Sequence, residues 1–422
     1  LHGKEIVDGK GKYVIPGGID PHVHLEMPQG EHTSSDDFES GTIAAACGGT
    51  TTIIDFVEPE DDESLLEALH ARQAQADGKT VIDYSLHMTL TNARDETLAQ
   101  IPEVVQAGIT TFKTYTIYDG FALEDDDLLK AFTQIHLNGG MPIVHAENRH
   151  VVHYLQEAFI ASGKASPEFH PESRPPIVEE EAINRVLTIA NTVDSPIYIV
   201  HVSTALGAAV IEKAKKRGQK VFGETCPQYL LLTDEEYVRP NFEGAKFVCS
   251  PPLRPAENLR SLWNGLSKGV LESLGTDHCP FFFAGQKDKN LSDFRKIPGG
   301  LPGIEARLTL LYTFGVLEGK ISLNQWVALC ATTPAKIFGI YPQKGALLPG
   351  ADADIVIFDP EKEVTMSTSV LHENVDYTPY KGFRLKGYPS RTIRRGETIA
   401  LNSEFVGKKA GGHFLERRVE HA

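Results

Sequence analysis

Between residues 18 and 340, short β-branched apolar runs alternate with helix-like stretches, and this pattern restricts the fold more than any other feature of the chain. The strand-like runs are "GIDPHVH", "TTTIIDFV", "VIDYSLHMTL", "TTFKTYTIY", "MPIVHAE", "SPIYIVHVS", "QKVFGETCP" and "VLESLGTDH". Helical segments such as "SLLEALHARQAQA" and "EDDDLLKAFTQIHL" separate them. Continuous apolar runs suit parallel strands covered on both faces, and strand–helix alternation suits βα units. Eight such units predict a (β/α)8 TIM-type barrel, an α/β fold whose working residues stand at the C-terminal ends of the strands.

After Ile340 the texture changes. "GALLPGADADIVIFDP" and "SRTIRRGETIALNSEFVGKKAGG" are glycine-rich and lack a helical period, as hairpins do. The opening "KEIVDGKGKYVIPGG" is similar, so residues 1–17 and 341–404 are expected to share a small β-sandwich. Only about fifteen residues precede the barrel, so that sandwich is expected to lack its first strands, and a chain opening on Leu1 is expected to have had a segment before it. Residues 405–422 form a tail, a possible oligomer contact. A net charge of −16 argues against nucleic acid or an anionic membrane as partner. Five scattered cysteines without Cys-x-x-Cys spacing predict reduced thiols and a cytoplasmic setting.

"DPHVH" places His22 and His24 two residues apart, on one side of an extended strand. Alone, a His-x-His is more often a pair of unrelated turn residues. On the expected barrel it has company: Lys113 in strand four, His145 and His201 at the ends of strands five and six, and Asp277 at the end of strand eight. That set points to metal ligation. His22, His24 and Asp277 suit one divalent ion, and His145 with His201 a second. Two ions ~3.5–4 Å apart need an anionic bridge. No acid stands on strand four. Lys113 could supply the bridge as a carbamate formed with CO2, or could simply snorkel to the rim; the residues alone leave both open.

The segments "GGIDPHVHLEMP", "TTTIIDFVEP", "FKTYTIY", "VHAEN", "IVHVS", "ETCPQYLLL", "CSPPLR", "GTDHCPF", "PGGLPGIE" and "DYTPYKGF" occur in this order along nearly the whole chain. They resemble the cyclic-amidase branch of the amidohydrolase superfamily, the dihydropyrimidinase and hydantoinase group. The resemblance implies a binuclear zinc enzyme, with Mn2+ or Co2+ as substitutes, in which Lys113 is an N6-carboxylysine bridging the ions. It implies Tyr118 as oxyanion donor, Ser250 and Gly299 as backbone anchors for substrate, and a homotetramer. Gly299 stands where members often carry Asn, which puts the loop's rigidity in question.

The expected activity is hydrolysis of a dihydropyrimidine or 5-substituted hydantoin to an N-carbamoyl amino acid, with metal-activated hydroxide as nucleophile and Asp277 as proton shuttle. Glu26 stands where dihydroorotases carry Arg, which disfavours a carboxylated ring. An allantoinase-like hydrolase is the nearest alternative. A non-enzymatic collapsin-response-mediator-like protein is disfavoured by the complete ligand set. His87 is expected either to support a metal ligand from behind or simply to pack, Cys279 to pack, "GGTTT" to be a helix cap entering a strand, and the acidic run Glu58–Glu63 to be a solvated helix entry. Ring specificity is expected from the loops after strands two and four, with Leu65, Leu66 and Phe121 as an apolar wall.

Overall fold

The computed structural model describes residues 6–60 and 63–418. Among them, eight strands form one sheet in chain order: Gly18–Asp20, Thr50–Val57, Asp83–Thr89, Thr111–Tyr115, Met141–His145, Ile197–Ile199, Val221–Thr225 and Ser273–Leu274. Each pairs in parallel with the next. The second strand is buried at all eight positions, as an apolar strand covered on both faces must be. The barrel closes just beyond the first and last strands. Val23 bridges His278 in parallel, His24 N donates to His278 O at 2.8 Å, and Asp277 N donates to His22 O at 2.9 Å.

The helices start where the sequence offers caps. Ser64 and Glu67 form a reciprocal capping box at Leu65–Ala76, and Asp37 with Ser40 forms one at Phe38–Cys47. Gly48 then ends the second of these and Gly49 takes φ +87° before the strand at Thr50, so "GGTTT" is the expected cap. Helix Asp125–Leu137 buries Leu128, Ala131, Phe132 and Ile135, one stripe at helical spacing against the barrel. Burying Phe132 alone contributes about 1.5–3 kcal/mol.

Both chain ends meet in the small β domain, as the texture implied. Tyr13–Pro16, Ile355–Thr365, Arg384–Arg394, Glu397–Leu401 and Glu404–Phe405 form a five-stranded antiparallel sheet in that spatial order. Beyond it the tail turns back onto its own barrel as far as Arg418; residues 419–422 lie outside the described ones. Leu415 N donates to Tyr84 O, and Arg417 N to Gly108 O. The Arg417 guanidinium is buried under the barrel, where it donates to Ser85 Oγ at 3.0 Å, to Thr111 Oγ1 at 2.7 Å and to the Leu86 carbonyl. Burial without a carboxylate partner pulls its pKa down to about 9. No helix among the described residues is long and apolar enough to cross a membrane.

Removing the Arg417 side chain breaks its buried hydrogen bonds to Ser85, Thr111 and Leu86 and leaves a cavity. Arg417→Ala is expected to cost about 2–4 kcal/mol, seen as a lower denaturant midpoint. An unchanged midpoint contradicts the tail's role as a plug.

Candidate metal centre and active site

Barrel closure brings together ends of chain more than 250 residues apart. His22 Nε2 lies 3.2 Å from His24 Nε2, and both lie 3.2 Å from Asp277 Oδ1. Three lone-pair atoms converging on one buried point repel each other unless a proton or cation sits among them, so the donor set fits a divalent ion. The rings of His145 and His201 meet edge to face, 4.4 Å between centroids. Lys113 is fully buried, its Nζ 4.9 Å from the Phe56 ring and 5.2 Å from the Tyr115 ring. Burial pulls the Lys113 pKa down to about 8, which makes the neutral amine that CO2 addition requires accessible near neutral pH. All six expected ligands therefore gather at one end of the barrel.

Several carboxylates that sequence reasoning passed over hold these groups in place. Glu224 Oε1 takes His22 Nδ1 at 2.7 Å and the His201 amide at 3.0 Å, while Tyr198 donates to its other oxygen. His22 is thereby left with Nε2 for the centre. Burial opposes the charged imidazole, but Glu224 and then Asp277 outweigh it and lift His22 to about 9. Glu147 takes His145 Nε2 at 2.8 Å, leaving Nδ1 for another partner, and Arg174 clamps Glu147 at 2.5 Å. Burial would raise Glu147, yet Arg174 and His145 hold it at about 2. The signal for both was present in "HAEN" and "GETCP": an acid two residues after His145, and one at the end of strand seven. Surface acids at strand ends look the same in sequence.

Asp277 is also held well below the carboxylate range; burial pushes it up, and the charged His22 and the hydrogen bonds from His22 and His24 more than offset this. Tyr118, His201 and Asp277 take φ of +76°, +36° and +53°. Such left-handed backbone costs on the order of 1–3 kcal/mol per residue and persists where the surrounding fold over-determines it. Here the closing bond from Asp277 N to His22 O fixes one of the three.

A cavity of about 270 Å3 opens above the centre and is lined by His24, Lys113, His145, His201 and Asp277 together with Tyr118, Ser250 and Gly299. Tyr118 remains a phenol, pushed up to about 12 by burial against the opposing charge of Arg174. Arg174 stands behind its ring at 5.7 Å. Gly299 N donates to Gln29 Oε1 at 2.8 Å, so a neighbouring loop tethers the position whose rigidity was in question. Phe121 lines the cavity as expected. Leu65 does not: it is core, at the start of its helix, and the loop after strand two presents Glu58 instead, with Leu66 also outside the cavity wall. Glu58 is therefore no solvated helix entry, while Asp61 and Asp62 of that acidic run lie outside the described residues.

Two expected bystanders are bystanders. His87 bonds Thr111 Oγ1 at 2.5 Å and the Pro21 carbonyl at 3.0 Å, buried beneath the cavity. Cys279 lines the cavity, but burial drives its thiol well above the usual range, so no reactive thiolate forms.

Residues 13–399 match the model of the amidohydrolase family. The chain belongs to that family. This amidohydrolase is 44% identical over 415 residues to the D-hydantoinase of Streptomyces coelicolor, a match covering 98% of this chain and 89% of that protein. A crystal structure of a D-hydantoinase superimposes with a TM-score of 0.98 at 44% identity, over 99% of this chain and 92% of the other. The dihydropyrimidinase of Brevibacillus agri gives 0.97 at 44% identity, over 98% and 90%.

If Glu224 orients His22 for a metal, Glu224→Gln is expected to weaken divalent-metal affinity about 10- to 100-fold in chelator competition. Wild-type affinity in a folded variant contradicts that role.

Proposed function

We propose that this chain is a metal-dependent cyclic amidase that opens the ring amide of a dihydropyrimidine or 5-substituted hydantoin to an N-carbamoyl amino acid. The observation that carries the reading is the convergence of His22, His24 and Asp277 at 3.2 Å beneath a cavity that also exposes Lys113, His145, His201 and Tyr118. The relatives named above, D-hydantoinases and a dihydropyrimidinase, support the substrate class and a D-configured product.

In this reading His22, His24 and Asp277 would hold one zinc ion and His145 with His201 a second, and a carbamate on Lys113 would supply the anionic ligand they need between them. When bound, the ions supply Lewis acidity: they polarise the ring carbonyl and make water acidic enough to attack near neutral pH. The protein's groups do the rest. Tyr118, a phenol at working pH, donates a hydrogen bond to the carbonyl oxygen as negative charge develops there. Asp277, a carboxylate at working pH, accepts the proton of the attacking water and returns it to the departing ring nitrogen. Ser250 and Gly299 anchor the polar edge of the ring through backbone groups. Holding the ring in this way orients it against the nucleophile, and orientation of this kind offsets about 7–11 kcal/mol of the barrier in well-aligned systems.

Two coarser properties complete the proposal. The five cysteines are free and buried, which supports a cytoplasmic setting. A homotetramer is carried from the resemblance, and sedimentation of the purified protein measures it.

Three outcomes are expected. Protein purified without chelator carries close to two divalent ions per chain by elemental analysis; full activity with one contradicts the two-ion centre. Lys113→Ala loses metal and activity, part of which a short carboxylic acid restores, whereas wild-type activity in Lys113→Arg contradicts the carbamate. On a panel of dihydrouracil, hydantoin, phenylhydantoin, allantoin and dihydroorotate, the first three are opened faster than the last two. A preference for allantoin or dihydroorotate overturns the substrate class.

A further inference from the structure

The substrate cavity continues at two ends. At one end Tyr118, Ser250 and Gly299 are shared with a neighbouring cleft. At the other, His24, Met27, Pro28 and Glu58 are shared with a side cavity of about 250 Å3. The two continuations have no lining residue in common. Glu58 lines the substrate cavity and the side cavity and is absent from the cleft that Ser250 and Gly299 share.

That side cavity is acidic. Glu26, Asp55, Glu58, Glu60 and Glu63 line it, with Arg72 as the one cationic residue of the lining. Arg72 is taken by Asp55 at 2.5 Å, and Lys79 from outside the lining is taken by Glu26 at 3.0 Å. Glu58, Glu60 and Glu63 are left without a cationic partner among the described residues. Glu58 is partly buried, lines the substrate cavity together with Lys113 and Phe121, and makes no hydrogen bond or ion pair with the described residues. Burial works against its charged form, and Arg72 and Lys113 offset this only from a distance, so the carboxyl group keeps an unrelieved desolvation cost. A ligand cation would relieve that cost.

We propose that Glu58 selects ring substituents ending in a cation, an alkylamine or alkylguanidine, which pass Phe121 along their methylenes and enter the acidic side cavity. This rests on the cyclic-amide reading above and names its substrate class. The apolar stem packs on the Phe121 ring. The charged head exchanges water for Glu58, with Glu60 and Glu63 behind it adding attraction that salt screens.

The test uses metal-loaded wild-type protein at one fixed pH. Hydantoins carrying an aminopropyl or a butyl group are near-isosteres that differ in charge. The expected kcat/KM ratio favours the amine by about tenfold or more and shrinks at high salt. Glu58→Leu is expected to lower the ratio by at least about tenfold. Should that variant fail to fold, the double variant Glu60→Gln/Glu63→Gln lowers the ratio by a smaller factor, and an unchanged ratio there overturns the proposal. A wild-type enzyme that prefers the butyl compound or treats the two alike overturns the proposal, as does an unchanged ratio in a folded Glu58→Leu. Failure to open unsubstituted hydantoin and dihydrouracil identifies a different fault, in the cyclic-amide reading itself.

Discussion

Two main-chain hydrogen bonds hold the site together: His24 N to His278 O, and Asp277 N to His22 O. They join the first barrel strand to the last and close the sheet on itself. Without that closure Asp277 and the His22–His24 pair belong to opposite edges of an open sheet. With it, their ligand atoms meet at 3.2 Å, and the strands between them add Lys113, His145 and His201 to the same mouth. A parallel barrel has no free edge, so the arrangement is rigid enough to hold three residues in left-handed backbone.

The site's electrostatics follow from this enclosure. Water is largely excluded, so each charge must be answered by a specific neighbour. Glu224 answers His22, Arg174 answers Glu147, and Arg72 answers Asp55. Lys113 lies against the Phe56 and Tyr115 rings and makes no ion pair with the described residues, and burial outweighs the more distant Asp277, Glu224 and Glu58 to make its neutral form accessible. A buried amine without a carboxylate partner is poised to react with CO2, and the resulting carbamate would restore the charge balance of a divalent centre. Glu58 is the mirror case, a carboxyl group in the substrate cavity that makes no ion pair with the described residues.

Much of this was legible in the chain because it is written locally. Apolar strand runs, capping residues such as Ser64, and histidines at strand ends are properties of a few neighbouring residues, and barrel rules then place them on one mouth. What the sequence could not convey depends on contacts between distant segments. Glu224 and Glu147 look like ordinary strand-end acids until the fold brings His22 and Arg174 to them. Leu65 looks like a loop residue facing substrate, but helix capping at Ser64 turns it into core and leaves Glu58 at the wall. The tail reads as a polar extension; only the fold reveals Arg417 beneath the barrel, more than 300 residues from the strands it caps.

The central claim is that the cavity directs water onto the ring amide carbonyl beside the substituted carbon. Turnover of hydantoin by metal-loaded protein in oxygen-18 water, followed by mass spectrometry of fragmented product, tests this directly. The account predicts one labelled oxygen, in the carboxylate of N-carbamoylglycine, and none in the carbamoyl group. Label in the carbamoyl group, or product without label, would contradict it.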